Sequence, residues 1–167
     1  MLSPGLTRMR EAEVIVRRAG PGDLETLREF EQGIIAAERP YDPTIRKDPV
    51  RYYDIAVLIA SDDVCLALAE ADGRAIGCGF ARRSPSRPYT EPPYHAYVGL
   101  MYVAPEFRGR GVSRQILEAL SAWARAKGLF EVRLEVYPGN AVAVSAYENF
   151  GFSPYMTEMR LRLDESQ

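Results

Sequence analysis

The sequence predicts a mixed α/β fold in which helices cover one mostly antiparallel sheet. Three observations carry that expectation. Helical and strand-like apolar patterns interleave in the order β-α-α-β-β-β-α-β-α-β, without an internal repeat. Two strand runs, 63–71 and 74–82, are joined by Asp72-Gly73, a pair suited to a tight antiparallel hairpin. A further strand run, Tyr97–Val103, leads through a glycine-punctuated turn into an amphipathic helix. A chain of 167 residues suits one domain with a sizeable core. Its content of 47% hydrophobic and 26% charged residues is that of a folded globular protein.

Taken in order, residues 1–12 read as a loose, flexible tail and 13–167 as a single domain. Val14–Arg18 reads as a short strand. Gly20-Pro21-Gly22-Asp23 turns the chain, with Asp23 standing where a helix N-cap belongs. Leu24, Leu27, Phe30, Ile34 and Ile35 recur at helical spacing, so a first helix runs to about Ala37. Pro40 and Pro43 stop it. A second helical pattern covers about Val50–Ile59. Beyond the hairpin, Arg83–Pro93 is rich in proline and reads as a loop. In the helix over 113–127, Ile116, Leu117, Leu120 and Trp123 form one apolar face, and Gly128 is the expected C-cap. Val132, Leu134 and Val136 alternate as a strand. Asn140 caps a short helix that ends before Gly151. Met156–Leu163 is expected as a closing strand, paired near Phe152–Pro154.

Bulk charge excludes little but locates something. A net charge of −2 gives no global reason to expect a nucleic-acid or membrane partner, so basic surface must be local. No apolar run approaches the ~20 residues of a membrane span. The first residues are charged and lack the apolar core of a secretory leader. The expectation is a cytoplasmic protein. The two cysteines, Cys65 and Cys78, fall in strand runs and read as buried free thiols. No Cys/His/carboxylate spacing resembles a ligand set, so no metal is expected.

The local basic surface lies at Arg108-Gly109-Arg110-Gly111-Val112-Ser113-Arg114, between the 97–103 strand and the following helix. Glycines let backbone approach a ligand closely. The first amides of a helix lack intrahelical partners, and its dipole favours an anion there. Strand, glycine turn, helix start and arginines together make a phosphate cradle. The lysine and hydroxyl residue of a P-loop are missing, which argues against a nucleoside-triphosphate site.

Val103-x-Pro105-x-x-Arg108-Gly109-x-Gly111 resembles the acyl-CoA-binding signature of the GNAT family of N-acetyltransferases. The core of that signature is Arg/Gln-x-x-Gly-x-Gly/Ala, and here it runs Arg108-x-x-Gly111-x-Ser113, with serine in the last place. A second segment, Asn140-x-x-Ala143-x-x-x-Tyr147-x-x-x-Gly151-Phe152, matches another family motif in the right order. The resemblance spans about Val14–Leu163 and is sharp over Leu100–Phe152. It implies a GNAT-like fold and acetyl-CoA as co-substrate. It also implies transfer of acetyl to a primary amine, on a small molecule or on a protein N-terminus or lysine.

The resemblance assigns roles residue by residue. Arg108 to Arg114 would hold the pyrophosphate, mainly through backbone N–H groups. Asn140 would reach the cofactor as well as capping its helix. In the family the strand before the cradle splays from the next, leaving backbone groups for the pantetheine amides. An N–H among Met101, Tyr102 and Val103 would then polarise the thioester oxygen, and Gly99 would mark a bulge that helps the splay. Tyr147, a phenol of ordinary pKa ~10, would protonate the departing thiolate. The base that frees the amine stays open between His95, Glu135 through water, and ordered water alone. The acceptor pocket falls to the segments 38–42 and 89–94, with Tyr41, Tyr89 and Tyr94 as contacts for a cationic amine. A monomer or a homodimer fits equally. The rival reading is an acyl-CoA-binding module of the same fold that regulates a partner.

Overall fold

A computed structural model describes residues 13–163, so the tail expected over 1–12 lies outside the described residues. The elements are β1 (Val14–Arg18), α1 (Leu24–Glu38), α2 (Ile55–Ala60), β2 (Val64–Ala71), β3 (Arg74–Pro85), β4 (Tyr94–Val103), α3 (Val112–Ala126), β5 (Val132–Arg133) and α4 (Ala141–Phe150). The sheet runs in the order β1-β2-β3-β4-β5. Its first four strands are antiparallel, and β5 joins parallel to β4.

The period-2 pattern of β2 sorts the core into two layers. Leu66 and Leu68 face α1 and α2, packing with Leu27, Ile55, Leu58 and Phe80. Ala67 and Ala69 face the other way, and their small side chains admit Ile116, Leu117 and Leu120 of α3. All three of those α3 residues are essentially inaccessible, which stabilises the helix on the sheet by roughly 1.5–3 kcal/mol apiece. Asp72 and Gly73 both adopt positive φ, at 50° and 74°, as the two central positions of a type I′ hairpin require.

Several elements differ from expectation, each for a local reason. Asp23 precedes α1 but makes no cap bond to it. Its carboxylate instead accepts from Arg17 and from the Gly20 amide. The second helix begins at Ile55 rather than Val50, because the Tyr52 and Tyr53 amides donate to Glu31 of α1. Asp54 then caps α2 through the Val57 amide. β5 is only two residues long, and the expected closing strand over Met156–Leu163 does not form. A strand needs a straight partner edge, and β5 leaves the sheet after Arg133. The Gly151 and Phe152 amides close on the last turn of α4, and the residues beyond are held by side chains instead. Arg133 stacks on Tyr155 at 5.0 Å, and Arg160 pairs with Asp42 at 3.4 Å.

Candidate active site

The departure of β5 creates the site. Pairing between β4 and β5 stops at Tyr97 opposite Arg133, so β4 from Val98 to Val103 has no ladder partner on that side. Its other edge, against β3, carries a register shift between Cys78 and Phe80. One extra residue of β4 is accommodated there, and the residue at positive φ is Leu100, at 54°. The bulge expected at Gly99 is therefore present, with its strained dihedral one position later at a cost of about 1 kcal/mol. Gly99 is required for a different reason. A Cβ there would stand 2.8 Å from the Tyr53 hydroxyl and 2.8 Å from the Phe80 ring.

The cradle follows β4. Gly109 and Gly111 have φ of 72° and 77°, and a Cβ on either would meet nothing within 4 Å among the described residues. Gly111 is the N-cap of α3, and no side chain caps the helix there. The first helical bond runs from the Gln115 amide to the Gly111 carbonyl. The Val112, Ser113 and Arg114 amides are thus left for an anion at the positive end of the helix dipole. Arg108 Nε donates to the Val103 carbonyl at 3.1 Å, folding the turn back on the strand. Arg110 lies over Phe107 at 5.4 Å, and Arg114 pairs with Glu118 at 3.1 Å. All three guanidinium side chains are exposed. Open amides, open space above two glycines and three nearby cations fit a diphosphate.

Tyr147 stands two turns into α4, edge-on to Phe152 with ring centroids 5.9 Å apart. Burial pushes its hydroxyl up to about 12, with the charge of Glu38 and the nearness of Tyr53 adding to the shift. It therefore keeps its proton throughout the neutral range. Asn140 caps α4, its Oδ1 accepting from the Ala143 amide at 3.2 Å.

More tyrosines gather where β4 and β5 part. Tyr97 donates to Glu135 Oε2 at 3.4 Å, so Glu135 is brought to the wedge. Burial raises the pKa of Tyr97 and of Tyr53. Tyr41 stacks on Tyr137 at 6.3 Å, and Tyr137 donates to Asp42 at 3.2 Å. Tyr52 donates to Glu38 at 2.9 Å. Burial lifts the Glu38 carboxyl above its ordinary value, and the Tyr52 bond opposes the lift.

The other nominated residues lie elsewhere. His95 sits at the start of β4 opposite Ser84, 7% exposed, with Nδ1 at 3.1 Å from Ser86 Oγ. It precedes Met101 by six residues, roughly 20 Å along a strand. Its one side-chain partner among the described residues is Ser86. Burial, then Arg133, lowers its pKa. Tyr94 lies at the same end beneath the Arg83 guanidinium at 3.7 Å, and Tyr89 is 80% exposed. Tyr52, Tyr53, Tyr97 and Tyr137 were not singled out by sequence. The one signal for them was the total of ten tyrosines, far more than a core of this kind needs.

A sheet split between two parallel strands, beside an uncapped and arginine-flanked helix start, is the architecture of an acyl-CoA-dependent transferase. The profile of the Acetyltransferase (GNAT) family matches residues 28–152, and the chain belongs to that family. It is similar to the aminoglycoside N(6′)-acetyltransferase type 1 of Salmonella typhimurium, 29% identical over 108 residues covering 63% of this chain and 73% of the relative. It also resembles the IAA acetyltransferase of Azospirillum brasilense, 30% identical over 57% of this chain and 58% of that one. Among solved structures, aminoglycoside N-acetyltransferase AAC(6′)-Iy in complex with CoA superposes with a TM-score of 0.72 at 22% identity, covering 92% of this chain and 97% of its own. The BH1408 protein of Bacillus halodurans gives 0.80 at 19% identity, over 89% and 99%. The chain is an N-acetyltransferase that takes its acetyl group from acetyl-CoA and passes it to an amine.

Proposed function

We propose that the acceptor is a cationic, amine-bearing small molecule, acetylated directly from the thioester in a ternary complex within the β4–β5 wedge. The observation that carries this reading is the ring of phenols and carboxylates around the unpaired stretch of β4. Tyr41, Tyr53, Tyr97 and Tyr137 offer aromatic surface, and Glu38 and Glu135 offer charge, a lining that suits a cation. The aminoglycoside acetyltransferases among the relatives act on molecules of that class, which supports it.

The chain's own residues divide the work. The amides of Val112, Ser113 and Arg114, helped by Arg108, Gly109, Arg110 and Gly111, hold the diphosphate. The free β4 edge holds the pantetheine amides, and an N–H among Met101, Tyr102 and Val103 steadies the negative charge developing on the thioester oxygen. Asn140 fixes the start of α4, and Tyr147 gives a proton to the sulfur. No covalent acyl-enzyme is involved. Burial raises the pKa of Cys78 and, less strongly, of Cys65, so neither is a ready thiolate.

Release of CoA from acetyl-CoA across a panel of aminoglycosides, polyamines and peptides bearing free N-termini or lysines tests this. Turnover confined to the small cationic amines is expected. Turnover confined to peptides would overturn the acceptor class.

A further inference from the structure

A protonated amine has no lone pair to offer, and at pH 7 only about one alkylamine molecule in a thousand is free base. β4, from Tyr94 to Val103, carries no carboxylate. We propose that Glu38, in the last turn of α1, takes the proton from the acceptor's ammonium group. The proposal rests on the N-acetyltransferase reading above and supplies the proton acceptor that reading lacks.

Placement is the first argument. α1 lies along β4, where Phe30 stacks on Tyr102 with centroids 4.6 Å apart. Gly33 approaches so closely that a Cβ there would stand 2.6 Å from the Tyr102 ring. Glu38 follows five residues later, roughly 7.5 Å along the helix, where the Tyr52 hydroxyl meets its carboxylate. Its backbone carbonyl accepts the Tyr41 amide at 2.8 Å, and the Tyr41 ring stacks on Tyr137. The Tyr137 carbonyl in turn accepts the amide of Asn140 at 2.9 Å, the residue that opens α4.

The second argument is that α1 and α4 belong to opposite faces of the sheet, Leu27 of α1 packing in one core layer and Tyr147 of α4 in the other. Intact sheet would separate them. The charge of Glu38 nevertheless contributes to the raised pKa of the Tyr147 hydroxyl, and the contacts running from Glu38 through Tyr41 and Tyr137 to Asn140 link the end of α1 to the start of α4. On this proposal the proton acceptor comes from the helix on one face of the sheet and the proton donor from the helix on the other.

The third argument is chemical. Tyr52 donates to Glu38 Oε2 at 2.9 Å, orienting the carboxylate. Among the described residues no hydrogen bond is made to Oε1, which is left for the substrate. Half-burial brings the carboxyl closer to neutrality than a surface glutamate, the condition for an effective base. The titratable groups around it are Tyr52 and Tyr53 from the segment before α2, Tyr137 from the turn before α4, and Tyr147 from α4. Asp42 lies beyond it in the chain, and Glu31 on the same helix is engaged by the Tyr52 and Tyr53 amides.

The step balances. One ammonium proton moves to Glu38, and the freed lone pair forms the C–N bond. The C–S bond breaks, Tyr147 gives its proton to the sulfur, and the second nitrogen proton refills Tyr147. Glu38 returns its proton to water, so the products are the amide, CoA and one free proton.

The test compares wild type, Glu38→Gln and Tyr52→Phe, with kanamycin, spermidine and tyramine as acceptors, from pH 5.5 to pH 10. Glu38→Gln should lose about 100-fold in kcat/KM at pH 7 and recover as pH approaches the pKa of the amine. Its acetyl-CoA-induced rise in Tm should match that of wild type. Tyr52→Phe keeps the carboxylate but removes a bond favouring its charged form, so the acidic limb should move to higher pH. A merely structural Glu38 would not produce that displacement. A Glu38→Gln profile parallel to wild type would overturn the proposal and leave the acetyltransferase reading standing. Absence of CoA release by wild type with every acceptor would overturn both.

Discussion

Oε1 of Glu31 accepts the backbone amides of both Tyr52, at 2.9 Å, and Tyr53, at 2.8 Å. Glu31 is 1% exposed, and a buried carboxylate without partners would be costly. Here it acts as a fixed post on α1 that sets where two phenols enter the wedge. Tyr52 is thereby aimed at Glu38, and Tyr53 at Gly99.

Removing the post should cost stability and geometry together. Glu31→Ala leaves two buried amides unpaired and should destabilise the fold by about 3 kcal/mol. Glu31→Gln keeps an oxygen acceptor and should cost less. Denaturant midpoints at constant m-value measure both, and equal midpoints for the two variants would contradict this account.

The cradle can be separated from the fold through Gly111. Asparagine tolerates positive φ, so Gly111→Asn should stay within about 1 kcal/mol of wild type in stability. Gly111→Glu brings a carboxylate to the amides meant for the diphosphate and should abolish the rise in Tm with acetyl-CoA. Titration with ATP serves as the control ligand. An undiminished rise in Gly111→Glu would show that the diphosphate binds elsewhere.

Tyr147→Phe should lower kcat by about 100-fold with little change in acetyl-CoA affinity. The hydroxyl is pushed up to about 12 from an ordinary value near ~10. Above that ordinary value the unfolded chain loses this proton while the folded chain keeps it, so stability falls as pH rises through this window. Tyr147→Phe should flatten that part of the alkaline unfolding curve, which ultraviolet titration of the tyrosines can follow.

At the acid end the relevant pair is Arg17 and Asp23, whose 2.8 Å contact holds the Asp23 carboxyl down at about 2 from 3.8. A depressed carboxylate stabilises the fold above its unfolded pKa, and the contribution disappears as pH falls from about 4 to about 2. Because Arg17 is partly solvated, the contribution is about 1 kcal/mol. Asp23→Asn should lose that much at pH 7 and almost nothing at pH 2. An equal loss at both pH values would point to a purely steric effect.

His95→Gln should leave the acidic limb of the rate profile in place, since the imidazole is roughly 20 Å along β4 from Met101, the nearest of the proposed oxyanion donors. A displaced limb would restore His95 to the chemistry.

What was legible in the chain is local. Gly109, Gly111 and the amphipathic face of Ile116, Leu117 and Leu120 state a cradle and its helix, because conformational freedom and helical period are properties of short segments. Asp72-Gly73 states its hairpin for the same reason, and Asn140 and Tyr147 lie within one motif. The separation of β4 from β5 is not local. Val132, Leu134 and Val136 alternate like any strand, yet only Val132 and Arg133 pair. Whether a strand pairs depends on where its neighbour goes, which is also why Met156–Leu163 carries a strand pattern without a strand. The phenols and carboxylate gathered near the parting of β4 and β5 come from positions 38, 52, 53, 97 and 137, far apart in the chain. The family is legible in the chain's short motifs, and the cradle and Tyr147 as acid are readings that the same motifs supply. That Glu38 and Tyr52 meet, and that β4 is left unpaired beyond Tyr97, follows from how distant segments pack, which no single segment encodes.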